Sequence, residues 1–229
     1  MKVTTLNLAG YKNWAEREQG IVSYLDVTNS DIVFLQEVKF DREYSPHPQS
    51  HYVNNKLPTP YPYTHTSVSR YYMQSDGIES REGLAVLSRH PITNSETLVL
   101  TKKPDDKHTR IIQTVEVSIN NRVISYTNVH FSNNQYSNEQ LAETLQIIKN
   151  TERKSVVLGD FNIFDMQTVR DLYSPDYTAS TDFSEYISFP TDSATLDYIL
   201  MPRDYTFTSL SVGKNLSDHN AITFEFLTN

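Results

Sequence analysis

Cysteine is absent from the 229 residues. No disulfide framework can staple this fold, and no thiolate can hold a metal in it. That composition fits a reducing compartment, so a cytoplasmic location is the expectation. Positive charge is in the minority: 20 Lys and Arg stand against 28 Asp and Glu, a formal net charge of −8, and the pI is near 5.3. This balance argues against a protein that holds nucleic acid through a broad basic surface, although a basic rim or a bound divalent cation can reverse the sign locally. Long apolar runs are missing too, so no transmembrane segment is expected. Met1 leads straight into Val3-Thr-Thr-Leu-Asn7, with no charged or apolar leader region in front of it. Nothing in the chain resembles a linker. A single domain over residues 1–229 is therefore expected, as a monomer, with 38% hydrophobic and 21% charged residues serving an ordinary core.

What is present is an alternation of short apolar runs and helical faces. Val3–Asn7 reads as a strand. In Trp14–Asn29, the residues Trp14, Ile21, Val22 and Leu25 recur at helical spacing, and Asp31–Glu37 is again a continuously apolar strand with polar residues at its end. The first unit is thus strand, helix, strand, with the helix covering a sheet. Residues 41–62 are rich in Pro, His, Tyr and Asn. With Pro58, Pro60 and Pro62 set against regular helix, they are expected to form a surface excursion. Tyr63–Val68 resumes as a strand, a polar loop carries Arg70, Tyr71 and Tyr72, and strands follow at Gly83–Arg89 and Glu96–Leu100.

A charged turn at Lys102–Lys107 precedes a hairpin, Arg110–Val117 with Arg122–Val129, closed by Asn120-Asn121, which tolerates positive φ. Ser137 and Gln140 suggest a capping box for a helix presenting Leu141, Leu145 and Ile148. Val156–Asn162 is the next strand and Met166–Leu172 a short helix capped by Asp165. Strands at Leu196–Met201, Phe207–Val212 and Ala221–Leu227 close the chain. Each half holds strands, a covering helix and an acid at a strand end, which gives an α/β class of two packed sheets with helices outside.

The chemistry gathers at those strand ends: Asn7, Glu37, His130, Asp160 with Asn162, Asp197, and the pair Asp218 and His219. Ser155-Val-Val-Leu-Gly-Asp-Phe-Asn162 shows the pattern most clearly. A buried strand stops in a glycine, a carboxylate and an amide, and Asp160 and Asn162, two apart, share a face in extended geometry. Each residue has a plainer reading alone. Gly159–Asn162 and Asn7 suit turns, Glu37 suits a helix cap, His130 suits a satisfied sheet position, and Asp197 suits an arginine partner. Together they supply hard oxygen ligands of the kind Mg²⁺ or Mn²⁺ prefers, with two histidines for proton transfer or anion stabilisation. The tyrosines Tyr71, Tyr72, Tyr173, Tyr177 and Tyr186 fall in candidate rim loops, where they either stack on a ring or pack on the core.

The ordered set Leu6-Asn7, Gln36-Glu37, Gly83–Arg89, Asn128-Val-His130, Gly159-Asp-Phe-Asn162, Leu196-Asp-Tyr198 and Ser217-Asp-His219 resembles the endonuclease/exonuclease/phosphatase superfamily over essentially the whole chain. That superfamily includes pancreatic-type deoxyribonucleases, abasic-site endonucleases, inositol polyphosphate 5-phosphatases, neutral sphingomyelinases and tyrosyl-DNA phosphodiesterases. The resemblance implies a four-layer αββα sandwich, two mixed sheets between helices, and a divalent metal, Mg²⁺ or Mn²⁺, at one end. By motif, Glu37 would be the principal metal ligand, Asn7 would contact the metal or its water, and Asp218 would be a metal-side acid. Asp160 would orient or deprotonate the attacking water and Asn162 would position it. His219, oriented by Asp197, and His130 would face the phosphate. Arg110, at the start of a strand, is a candidate phosphate contact.

These roles suit attack on a phosphorus shielded by negative oxygens. The expected activity is hydrolysis of a phosphodiester or phosphomonoester. A nuclease, abasic-site type included, is the specific alternative, and nucleic acid is therefore among the candidate partners. A binding protein that kept the fold without catalysis is the reading from another class.

Overall fold

The computed structural model describes residues 1–73 and 79–228. The first half of the chain gives β1 (Lys2–Asn7), α1 (Trp14–Thr28), β2 (Ile32–Phe40), α2 (Gln49–Lys56), β3 (Tyr63–Met73), β4 (Glu79–Ser88) and β5 (Ile92–Val99). The second half gives β6 (Ile111–Ile119), β7 (Arg122–His130), α3 (Ser137–Asn150), β8 (Ser155–Asp160), α4 (Arg170–Tyr173), β9 (Tyr177–Ala179), α5 (Ser180–Phe183), β10 (Asp197–Pro202), β11 (Tyr205–Gly213) and β12 (Ala221–Thr228). The strands form two six-stranded sheets, ordered β11-β12-β1-β2-β4-β3 and β5-β6-β7-β8-β10-β9. Each is mixed: β1 and β2 are parallel neighbours, as are β7 and β8, and the other pairings are antiparallel. The parallel pairs need crossover connections, which α1 and α3 supply. Among the described residues no helix is long and apolar enough to cross a membrane.

Strand alternation sorts the buried residues into layers. Val3, Phe34, Tyr126, Val156, Leu158, Ile199 and Phe224 meet between the sheets. Leu6, Val33 and Leu35 face outward onto Trp14, Ile21 and Leu25 of α1, while Val157 and Leu200 face Leu141 and Ile148 of α3. This is the four-layer sandwich implied by the resemblance. α1 stops at Asn29, which takes a left-handed conformation (φ 46°) and donates its N–H to Leu25 O, an ending that asparagine tolerates better than most residues. The β6–β7 hairpin turns through Asn120 and Asn121, both at positive φ, with Ile119 paired to Arg122.

Several expectations are corrected. The excursion at 41–62 contains α2, because Pro46 and Pro48 precede that helix and Pro58, Pro60 and Pro62 follow it. The prolines bracket the helix and do not interrupt it. Arg70 and Tyr71 belong to β3, not to a loop. Residues 79–82 of that expected loop belong to β4, while residues 74–78 and the Tyr72 side chain lie outside the described residues. The capping box does not form: Gln140 is buried and accepts the Ser132 N–H while donating to Ser132 Oγ, and Ser137 Oγ donates to Asn134 O. Met166–Val169 is a 3-10 turn that leads into α4, and its cap is Asp165, whose carboxylate accepts the Gln167 N–H.

Candidate functional site

The inward parity of the central strands carries polar side chains to one end of the layer between the sheets. In β1 the inward series Val3, Thr5, Asn7 ends in an amide. In β8 the series Val156, Leu158, Asp160 ends in a carboxylate, in β7 Tyr126, Asn128, His130 ends in an imidazole, and β10 starts with Asp197. Gly159 makes the β7–β8 approach possible: its φ is +130° and a Cβ there would come within 2.2 Å of Val129 O. Glu37 gets there differently. Alternation from Phe34 and Gln36 would turn it outward, but the register shifts between Leu35 and Val38 and Glu37 sits at φ 50°. This β-bulge re-aims its side chain.

The result is a junction around one oxygen. Asp160 Oδ2 accepts a hydrogen bond from Asn7 Nδ2 at 3.0 Å. It lies 3.7 Å from His130 Nε2 and 3.8 Å from His219 Nε2. Asn7 Nδ2 also donates to Glu37 Oε1 at 3.3 Å, and Asn7 Oδ1 accepts the Ala9 N–H, which fixes the orientation of the amide. His130 Nε2 is 3.9 Å from Glu37 Oε1. Asn162, at φ 52°, gives its backbone N–H to Asp160 Oδ1 and its Nδ2 to Phe131 O, tying the ends of β7 and β8 together. His219 Nδ1 meets Asp197 Oδ2 at 2.7 Å, and its ring packs on Phe189 with centroids 4.9 Å apart. Ser188 Oγ accepts the Asp197 N–H. Ser217 Oγ donates to Asn7 O and accepts the His219 N–H, so the loop carrying Asp218 and His219 is locked to β1. All the predicted residues come together at this end of the sandwich except Arg110, which is buried beneath it and donates from Nη1 to His130 O at 3.4 Å.

Electrostatics separates the two histidines. Burial alone would lower the pKa of His219, but the Asp197 carboxylate outweighs it and raises the value to about 10. Burial and the nearby Arg110 cation push His130 well below the usual histidine value. At neutral pH one imidazole is charged and its neighbour is not. Burial and then Asp197 raise Asp160 to about 7. Burial and then Glu82 raise Glu37. Burial opposes ionisation of Asp218 as well, but its hydrogen bond from Lys12 at 3.1 Å and the His219 charge outweigh that and hold it below the usual range.

One consequence is an alkaline loss of stability. The folded pKa of His219 exceeds the ~6.5 of an unfolded histidine, so its stabilising contribution is complete below pH 6.5 and is lost as the pH rises through about 10. The other perturbed histidines, His51, His65, His108 and His130, are lowered and contribute in the opposite sense. They do so around and below pH 6.5, so the window above pH 7 isolates His219. In chelator, denaturant unfolding is expected to weaken from pH 7 to 9.5 by about 1 kcal/mol per pH unit, with the slope flattened in Asp197→Asn. A stability that stays level or rises in wild type over this window contradicts the assignment.

Beneath the site lies a tier of buried polar residues that are not among the expected strand-end groups. Gln36 Nε2 donates to Asn128 Oδ1 at 2.7 Å, Asn128 Nδ2 to Gln113 Oε1, and Gln113 Nε2 to Ser67 Oγ, a polar ladder joining the two sheets. Inward parity was the available signal: Gln36 and Asn128 continue apolar inward series. Glu82, buried and paired with Arg70, is outside those expected groups as well. Tyr173 and Tyr177 belong to the core under α3, and Tyr186 donates to Asp197 O; of the rim tyrosines, Tyr71 is exposed.

A family model described as Endonuclease/Exonuclease/phosphatase family matches residues 4–219. Among solved structures, an endonuclease/exonuclease/phosphatase family protein from Leptotrichia buccalis C-1013-b superposes with a TM-score of 0.78 at 19% identity, covering 99% of both chains. A humanized D. rerio TDP2 with 14 mutations gives 0.70 at 18% identity over 100% of this chain and 99% of its own. The human Nocturnin catalytic domain with bound sulfate gives 0.71 at 17% identity over 100% and 94%. At such identities the likeness is one of fold. No curated protein sequence matches.

Proposed function

We propose, from the premise that this chain belongs to the endonuclease/exonuclease/phosphatase family, that it is a divalent-metal-dependent phosphoesterase in which water attacks a phosphodiester or phosphomonoester. The observation that carries this reading is the junction at Asp160. One buried carboxylate oxygen is faced by an amide and by two imidazoles in opposite charge states, the separation of roles that acid and base chemistry at one site requires.

The donor set fits a small hard cation. Asp160, Asp197 and His219 also place ligand atoms within 4.8 Å of one another. The His219–Asp197 hydrogen bond uses that pair internally, so half-buried Glu37 with Asp218 beside it is the better holder. Burial first, and then the neighbouring carboxylates Glu82 and Asp197, raise the pKa values of Glu37 and Asp160, and carboxylate oxygens suit Mg²⁺ or Mn²⁺. A cation bound there supplies charge neutralisation for the phosphate and eases loss of a proton from water. Asn7 holds the two carboxylates at a set spacing through Nδ2, and its oxygen, which accepts the Ala9 N–H, keeps a second lone pair for the cation or its water.

The chain's own groups do the rest. Asp160 accepts one proton of the attacking water as the water oxygen bonds to phosphorus and the P–O ester bond breaks, the leaving oxygen departing as an anion that takes a proton from solvent. Asn162, with Nδ2 occupied, offers Oδ1 to position that water. His219, cationic and aimed by Asp197, donates from Nε2 to a phosphate oxygen on which charge grows. His130 presents a neutral imidazole 3.7 Å from Asp160 Oδ2, with Arg110 behind it adding positive potential.

Glu37→Gln tests the assignment of the metal holder. Residues that merely orient metal ligands cost about 10–100-fold in affinity when lost, so Mn²⁺ binding followed by electron paramagnetic resonance should weaken at least about tenfold. Unfolding free energy should change by less than about 2 kcal/mol. Unchanged Mn²⁺ affinity, or a larger loss of stability, makes Glu37 structural instead.

A further inference from the structure

A recess of about 420 Å³ opens directly beside Asn162, a size suited to a small-molecule group. One wall is the segment after β7 and the first turn of α3, with Asn133, Asn134 and Asn138; the other is the segment after β8, with Phe164 and Asp165. Phe164 is 65% exposed and lines the recess. The residues on either side of it are anchored. Ile163 before it and Met166 after it are both buried, Ile163 O accepts the Tyr198 hydroxyl at 3.0 Å, and Asp165 caps the following turn. The asparagines opposite are uncommitted. The side chains of Asn133 and Asn138 make no hydrogen bond among the described residues, and Asn134 uses only Oδ1, to accept the Tyr136 N–H.

Resting on the phosphoesterase reading above, we propose that this recess receives the nucleobase of a nucleotidyl phosphodiester whose scissile phosphate lies at Asp160. The chemistry of the walls selects this occupant. No Lys or Arg lines the recess and Asp165 does, which disfavours a second phosphate or a polyphosphate. Three carboxamides make a poor bed for an acyl chain, because their polar groups would be desolvated without partners. A phenyl ring lining the same recess as free amide donors and acceptors matches a planar heterocycle with a hydrogen-bonding edge: stacking supplies affinity, and amides pair with base edges. Because Asn162 belongs to both the recess and the Asp160 junction, base and phosphate are held by contiguous surfaces.

The test compares three substrates sharing one leaving group: a nucleoside 5′-(p-nitrophenyl phosphate), its base-free ribosyl analogue, and methyl p-nitrophenyl phosphate. Base stacking on an aromatic side chain corresponds to about five- to hundredfold in affinity. Wild type should show a KM lower by that factor for the nucleoside substrate alone. Phe164→Ala should remove most of the advantage, Phe164→Trp should keep it, and neither should alter turnover of the methyl ester. Equal KM values for the nucleoside and ribosyl substrates, or an advantage that survives both Phe164→Ala and Asn138→Ala, overturns the proposal.

If no ester is cut, the phosphoesterase reading fails, and the recess is judged separately by calorimetric titration with a nucleoside 5′-monophosphate. Saturable binding lost in Phe164→Ala supports the subsite, and no binding refutes it.

Discussion

Asp160→Ala is expected to lower kcat by about 10²–10⁴-fold, the range for loss of a positioned general base, while the protein stays folded. Asp160 Oδ2 accepts from the Asn7 amide and lies 3.7 and 3.8 Å from the Nε2 atoms of His130 and His219, whereas Glu37 meets the Asn7 amide and His130 alone of the two histidines among the described residues. Removal of the Asp160 carboxylate breaks hydrogen bonds from Asn7 Nδ2 and the Asn162 N–H, each worth about 1 kcal/mol. It also relieves the burial of a charge, which with repulsion from Asp197 and Glu37 raises the Asp160 pKa to about 7, so the two effects offset. The wild-type acid limb of kcat/KM should fall at or below about pH 7, since a bound cation favours the ionised carboxylate. The limb should be absent from any residual activity of the variant. Undiminished turnover in a folded Asp160→Ala protein would remove the base from the account.

His219→Gln is expected to cost about 10²–10³-fold in kcat, as for loss of one preorganised donor to a developing oxyanion, with KM changed less than about threefold. Glutamine suits this position better than alanine. Asp197 is buried, its Oδ1 already has no hydrogen-bond partner among the described residues, and stripping Oδ2 of its partner would leave an uncompensated charge worth about 3–5 kcal/mol. An amide can still donate to Asp197 but cannot carry the positive charge. The effect should therefore appear in turnover, and the alkaline decline of stability should disappear with it. A change confined to KM would make His219 a binding residue only.

How these residues reach the site explains what could be read in advance. Asn7, His130, Asp160 and Asp197 were legible because each sits on the inward parity of a buried strand, a local property of sequence. Glu37 was legible as a polar end to an apolar run, but its direction was not, since the bulge that turns it depends on pairing with β4. Gln140 looked like part of a helix cap and serves instead to bind Ser132 near Asp106, a tertiary demand that overrides the local motif. α2 was hidden because its prolines read as helix breakers although they lie on either side of it. Arg110 was a candidate phosphate contact at the start of a strand, yet it is 9% exposed and donates to His130 O from beneath the site, which only the tertiary packing decides. The polar ladder of Gln36, Asn128, Gln113 and Ser67 joins residues from four strands and both sheets, so no single segment announces it.

The most direct measurement is hydrolysis of bis(p-nitrophenyl) phosphate by the wild-type protein with Mg²⁺ or Mn²⁺, repeated after chelation and after the cation is restored. The account predicts turnover that chelator abolishes and added cation recovers. A folded protein that is inert with every divalent cation, or one whose turnover chelator leaves untouched, would contradict it.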